Sequence, residues 1–188
     1  MAAVNKLGVL GAGQMGQGIA QIAAQAGLDV IVVDAAPDFA KAGIGKIKKT
    51  LDRLVEKGKL DGAARDQAMG RLRAGERHED LDACDLVIEA APEREELKLA
   101  IFKSLGAVCK DDAILASNTS SISITKLAAA SGRPDRVIGM HFMNPVPLMK
   151  LVEVIRGQET SSETTAKVMS CAESLEKVPV EEIGRAHV

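Results

Sequence analysis

His141 and Glu153 stand twelve residues apart, each in a run patterned as an apolar strand. His141 ends the run 137–141 and is followed by Phe142, Met143, Asn144 and Pro145. In an open α/β sheet, ligands bind beyond the carboxyl ends of the strands, and a histidine there exchanges protons near neutral pH. Glu153 falls in the strand expected at 152–155, where alternation aligns it with Leu151 and Ile155. A carboxylate in such a row is costly unless paired. An imidazole on a nearby strand end is a natural partner, with Glu153 fixing its tautomer. The bland alternatives are a histidine satisfied by loop backbone and an edge-strand glutamate facing water. Ser117, Asn118, Thr119, Ser120 and Ser121 also follow a strand, so their hydroxyls and amide can orient a substrate oxygen or cap a helix. Asn144 precedes Pro145, Val146 and Pro147, a rigid turn suited to holding its amide in place. His78, in a charged turn, and His187, in the tail, are weaker candidates.

A second chemistry is written near the start. Gly11, Ala12, Gly13, Gln14, Met15 and Gly16 form a Gly-x-Gly-x-x-Gly turn between an expected strand and an expected helix, with Asp34 at the end of the next strand. Gly11 permits the tight turn, Gly13 lets backbone approach a pyrophosphate, and Gly16 lets helix and strand pack closely. The helix N-terminus offers free N–H groups to phosphates. Asp34 suits ribose hydroxyls and repels a 2′-phosphate, and no arginine adjoins it, so NAD is preferred over NADP. FAD uses the same turn and is the competing cofactor; a purely structural turn is the other alternative. Between Lys41 and Lys59, seven basic residues face only Asp52 and Glu56. Lys46, Lys49, Arg53 and Lys57 fall on one helical face, either a solvated surface or a handle for an anionic substrate such as coenzyme A.

These residues need a scaffold, and the hydrophobic pattern supplies one. Strands are expected at 7–10, 30–33, 86–89, 113–117, 137–141 and 152–155. Helices fall between them. One carries Ile44, Ile47, Leu51 and Leu54, and a second at 61–73 completes a hairpin expected to project from the sheet. Pro92 is expected to open a further helix, with Glu93, Glu95 and Glu96 at its positive end. Strands alternating with helices predict a doubly wound, mostly parallel α/β fold of the Rossmann type, with the helical hairpin inserted after the second strand.

Composition narrows the field further. With 188 residues, 46% of them hydrophobic, the chain suits one domain or one domain plus a stub. A net charge of −2 and only three aromatic residues argue against a nucleic-acid partner. No apolar run reaches the roughly 18 residues of a membrane span. Cys84, Cys109 and Cys171 show no metal or redox spacing, and with no leader pattern the expected location is cytoplasmic.

Taken together, Gly11–Gly16, the run from Ala116 to Ser121, and the run from His141 to Glu153 resemble the 3-hydroxyacyl-CoA dehydrogenases, most nearly their bacterial 3-hydroxybutyryl-CoA branch. The resemblance runs from about Lys6 to Glu181. It implies that His141 is the catalytic base and Glu153 its partner, that Ser120 touches substrate and cofactor, and that Asn144 lies beside them. It also implies that Glu93 and Lys98 contact NAD and that Thr50 and Lys57 meet the coenzyme A of an acyl-CoA substrate. Members of this family are homodimers through an all-helical C-terminal domain. That domain is expected to be absent here, with 1–181 the NAD-binding domain and 182–188 a tail unlike the family's continuation. The competing reading is an NAD-binding fragment, or a crystallin-like relative, with little turnover; a dehydrogenase of another acid or sugar is a third.

Overall fold

The computed structural model describes residues 4–183. Its strands are β1 (Lys6–Leu10), β2 (Asp29–Val33), β3 (Leu72–Ala74), β4 (Leu86–Glu89), β5 (Ile114–Ser117), β6 (Val137–Phe142), β7 (Leu151–Arg156) and β8 (Val178–Ile183). Its helices are α1 (Gln14–Gln25), α2 (Pro37–Glu56), α3 (Gly62–Gly70), α4 (Glu95–Val108), α5 (Ile124–Ser131) and α6 (Ser162–Ser174). The strands form one sheet in the order β3-β2-β1-β4-β5-β6-β7-β8. Every neighbouring pair is parallel except β6 and β7, which run antiparallel. The chain leaves β1 toward β2 on one side and later returns to place β4 on the other. That reversal opens a crevice beyond the carboxyl ends of β1 and β4. This is the expected doubly wound Rossmann-type fold.

A core lies on each face, because strands covered on both sides carry near-continuous apolar runs. On one face Ile19, Ala20 and Ala23 of α1, Ile47 and Leu51 of α2, and Val168 and Ala172 of α6 pack on the sheet. On the other, Ile101, Phe102 and Leu105 of α4 meet Leu127 and Ala128 of α5.

The structure corrects several expectations. The helix expected at 61–73 stops at Gly70, and Leu72–Ala74 becomes β3, in register with Val30, Ile31 and Val32. The hairpin does not project: Ala40, Gly43, Ile47 and Leu51 bury the α2 stripe, and α3 packs against α1. Pro92 and Glu93 precede α4, which begins at Glu95 with Arg94 as its cap, so Glu93 is free to turn back toward the sheet. β7 is not an edge, because β8 pairs along its outer side. Glu182 and Ile183, expected in the tail, belong to β8, while 184–188, including His187, lie outside the described residues.

Candidate active site

The Gly-rich turn is built as its glycines require. Gly11 adopts a φ of 109°, a conformation L side chains rarely take, and its N–H donates to the Val33 carbonyl at 2.8 Å. A Cβ on Gly16 would overlap the Gly11 carbonyl oxygen, so only glycine lets α1 start this close to β1. A Cβ on Gly13 meets no heavy atom within 4 Å, because Gly13 faces an open cleft.

That cleft is about 620 Å³, walled by Leu10, Gly11, Gly13, Gln14 and Met15 on one side and Ala90, Ala91, Leu97 and Ile101 on another. Asp34 and Ala35 line one end. The Asp34 carboxylate accepts the Ala12 N–H at 2.5 Å and the Ala35 N–H at 2.6 Å, which fixes it against the turn. Each of its oxygens keeps a lone pair for a ribose hydroxyl. Open space above Gly13, the N-terminus of α1, and a held carboxylate beside Ala35 fit a dinucleotide. His78 also lines this cleft, its Nδ1 2.7 Å from the Ser104 hydroxyl. Sequence reasoning set it aside because Arg77 and Glu79 flank it, but the chain turns there into a 3-10 helix beneath the cleft.

Beyond β4 and β5 lies a buried polar network. Glu89 ends β4 with no exposed surface and accepts from Lys98 Nζ at 2.7 Å, the Ala91 N–H at 2.6 Å and the Ser117 hydroxyl at 2.6 Å. Lys98, 1% exposed, also pairs with Glu93 at 3.2 Å. Its ammonium therefore meets these two carboxylates instead of opening onto the cleft. Glu93 accepts from the Thr119 and Ser121 hydroxyls. Burial alone would push the Glu93 carboxyl up; the Thr119 hydrogen bond and the Lys98 charge outweigh it and hold it below the ordinary glutamate range. These bonds shape the 118–121 loop in which half-buried Ser120 sits. Glu89 escaped sequence reasoning. Its one sequence signal is Lys98, a lysine on the same helical stripe as Ile101, Phe102 and Leu105.

His141 and Glu153 are direct cross-strand partners in the antiparallel β6–β7 ladder. Their side chains meet, Nδ1 to Oε2, at 2.8 Å. Glu153 is 7% exposed, and His141 is half-buried. The Asn118 side chain accepts the Phe142 N–H at 2.9 Å and so ties the 118–121 loop to the strand that carries the histidine. Asn144 is exposed, follows β6, and accepts from the Gln14 amide at 3.1 Å, which links the Gly-rich turn to the histidine's loop. A groove of about 150 Å³ runs from Asn144 and Pro145 past Gln17 and Gln21 to Thr50 on α2. Lys57 is exposed at the far end of that helix. The structure thus brings His141, Glu153, Asn144 and the Gly-rich turn to one sheet edge, with Ser120 in the adjoining loop and Thr50 and Lys57 outward along α2.

Fold, glycine turn and cleft together define a dinucleotide-binding domain with a His–Glu pair beside it. The model of the 3-hydroxyacyl-CoA dehydrogenase NAD binding domain matches residues 6–184, and the chain belongs to that family. It is 55% identical over 175 residues to a probable 3-hydroxybutyryl-CoA dehydrogenase of Deinococcus radiodurans, covering 93% of this chain and 63% of that protein. It is 55% identical over 163 residues to a 3-hydroxybutyryl-CoA dehydrogenase of Bradyrhizobium diazoefficiens, covering 87% of this chain and 56% of that one. Among solved structures, the (S)-3-hydroxybutyryl-CoA dehydrogenase of Ralstonia eutropha superposes with a TM-score of 0.94 at 46% identity, over 97% of this chain and 64% of that one. The chain therefore spans about six-tenths of the length of these relatives. Among the described residues, no helix is long and apolar enough to cross a membrane.

Proposed function

We propose that these residues serve the reversible oxidation of a short-chain (S)-3-hydroxyacyl-CoA, such as 3-hydroxybutyryl-CoA, to its 3-oxoacyl-CoA. What carries this is the 2.8 Å contact between His141 and Glu153 at the sheet edge that also bears the dinucleotide cleft. Gly11 to Gly16 and Asp34 would hold NAD, with Glu93 near its reactive end, and NAD when bound supplies a two-electron acceptor. With Nδ1–H donated to Glu153, the other ring nitrogen of His141 is left to take the substrate's hydroxyl proton. The Glu153 carboxylate then faces the imidazolium that forms, as the third member of a catalytic triad does. Ser120 and Asn144 orient the reacting oxygen, and such prearranged donors commonly give the largest catalytic effect. The coenzyme A moiety would extend along the Asn144–Thr50 groove toward Lys57.

The test is NADH oxidation with acetoacetyl-CoA, run beside calorimetric titration of NAD. Turnover that is lost in His141→Gln while NAD still binds is the expected result. Wild-type turnover in that variant would sink the assignment of His141. NAD binding without any turnover would leave cofactor binding as the activity of these residues.

A further inference from the structure

The loop joining β6 to β7 carries Asn144, and a side chain from outside the site holds it shut. Within the loop, the N–H groups of Leu148 and Met149 both donate to the Pro145 carbonyl at 3.0 Å, closing a tight turn. The carbonyls of Val146 and Met149 accept Lys177 Nζ at 2.5 and 2.8 Å. Lys177 opens onto this turn from the junction of α6 and β8, where Glu176 takes a left-handed φ of 58° to bring the lysine inward. It is 7% exposed. Among the described residues its ammonium is met by these two carbonyl oxygens and by no carboxylate. Burial lowers its pKa below the ordinary lysine value, the Lys150 charge adds to the effect, and the Glu176 charge offsets only part of it.

A buried ammonium with no carboxylate within ion-pairing distance among the described residues is costly, and a methionine would fill the same space without that cost. What the ammonium supplies, and a methionine cannot, is two hydrogen bonds to one turn. We infer that Lys177 is a positioning residue for the candidate site, clamping the 145–149 turn so that the Asn144 amide is held against Gln14. This rests on the reading of Asn144 as a site residue. Among the described residues the Lys177 ammonium bonds only to the 145–149 turn, so it acts on the dinucleotide cleft only indirectly, through Asn144 and Gln14. A cavity of about 370 Å³, lined by Pro147, Lys150 and Leu175, opens on Lys177 from outside. Truncating the lysine therefore leaves a void that a small amine can enter.

The experiment compares the wild-type chain with Lys177→Ala and Lys177→Met by ¹H–¹⁵N spectroscopy, the Asn144 side-chain amide being assigned from Asn144→Ala. In both variants the Asn144 amide pair is expected to move while the Ala12 and Gly13 backbone resonances stay in place. Adding n-propylammonium, the fragment that Lys177→Ala removes, is expected to return the Asn144 pair to its wild-type position. Tetramethylammonium, which has no N–H, is expected not to. An Asn144 pair unmoved in both variants, or restored equally by the two ammonium ions, would overturn the inference. So would unfolding of both variants, since that makes Lys177 a folding residue. Where the wild type turns over acetoacetyl-CoA, kcat should fall about tenfold in Lys177→Met while NAD affinity stays within about twofold. Absence of wild-type turnover would count against the proposed reaction, whereas the shift of the Asn144 amide pair would still decide the role of Lys177.

Discussion

A carboxylate opposite an imidazole in a sheet ladder acts through its charge, because the ladder already fixes the spacing. Glu153→Gln keeps the volume and a hydrogen-bonding oxygen but leaves a forming imidazolium unopposed. Turnover should fall by at least about tenfold, with NADH affinity nearly unchanged, as steady-state kinetics and calorimetry would report. Affinity falling with turnover unchanged would contradict this role. The glycines permit a sharper contrast. A methyl on Gly16 collides with the Gly11 carbonyl oxygen, so Gly16→Ala must shift the start of α1. It should cost about 1–3 kcal/mol in urea unfolding and also weaken NAD binding. A methyl on Gly13 meets nothing in the protein. Gly13→Ala should leave the urea midpoint in place and weaken NAD binding alone, because its Cβ intrudes where a pyrophosphate would lie. Equal loss of stability in the two variants would mean that Gly13 does not face the ligand.

At the scale of elements, Glu89 and Lys98 join β4, α4 and β5 at the mouth of the cleft. Both are buried, so their partnership matters more than either charge alone. Lys98→Met leaves the Glu89 carboxylate without its cation and should destabilise the fold by about 3–5 kcal/mol in urea unfolding. Adding Glu89→Gln should recover much of that loss. A double variant no more stable than the single one would show that the pair is not coupled. Much of this level was legible: α1, α2, α4 and six strands carry long or strongly apolar runs whose period identifies them. β3 was not, because three residues show no period and Leu72 looks like the last turn of the preceding helix. β8 escaped for another reason. Its two faces, Val178, Val180 and Glu182 on one and Pro179, Glu181 and Ile183 on the other, each mix apolar residues with acid, as an exposed edge does, and Pro179 interrupts the run. The His141–Glu153 pair was readable because a lone acid in an apolar strand demands a partner. The Glu89–Lys98–Glu93 network was not, since three separate elements meet there and only the folded sheet brings them together.

For the whole molecule, the question is whether the sheet opens as one unit. The core on the α1 face is continuous from Ile19 of α1 to Leu175 after α6, so the cleft end and the β7–β8 end share buried contacts. Three thiols report on this. Cys84 and Cys109 lie in the core under α4, and Cys171 lies in the other core on α6. All three are buried, and burial pushes their pKa values up to about 12 for Cys84 and about 11 for Cys109 and Cys171. Neither exposure nor thiolate character favours reaction, so iodoacetamide should label the native chain near pH 8 only through opening. NAD binds the folded state. At a free concentration about 100 times its Kd it stabilises that state by about 2.7 kcal/mol, which slows global opening exchange about 100-fold. If the continuous core makes the domain cooperative, mass spectrometry should show Cys171 protected by NAD as strongly as Cys84, although α6 is remote from the cleft. Protection of Cys84 with none of Cys171 would instead show that the β7–α6–β8 end opens by itself. The His141–Glu153 pair would then straddle a boundary between two cooperative units.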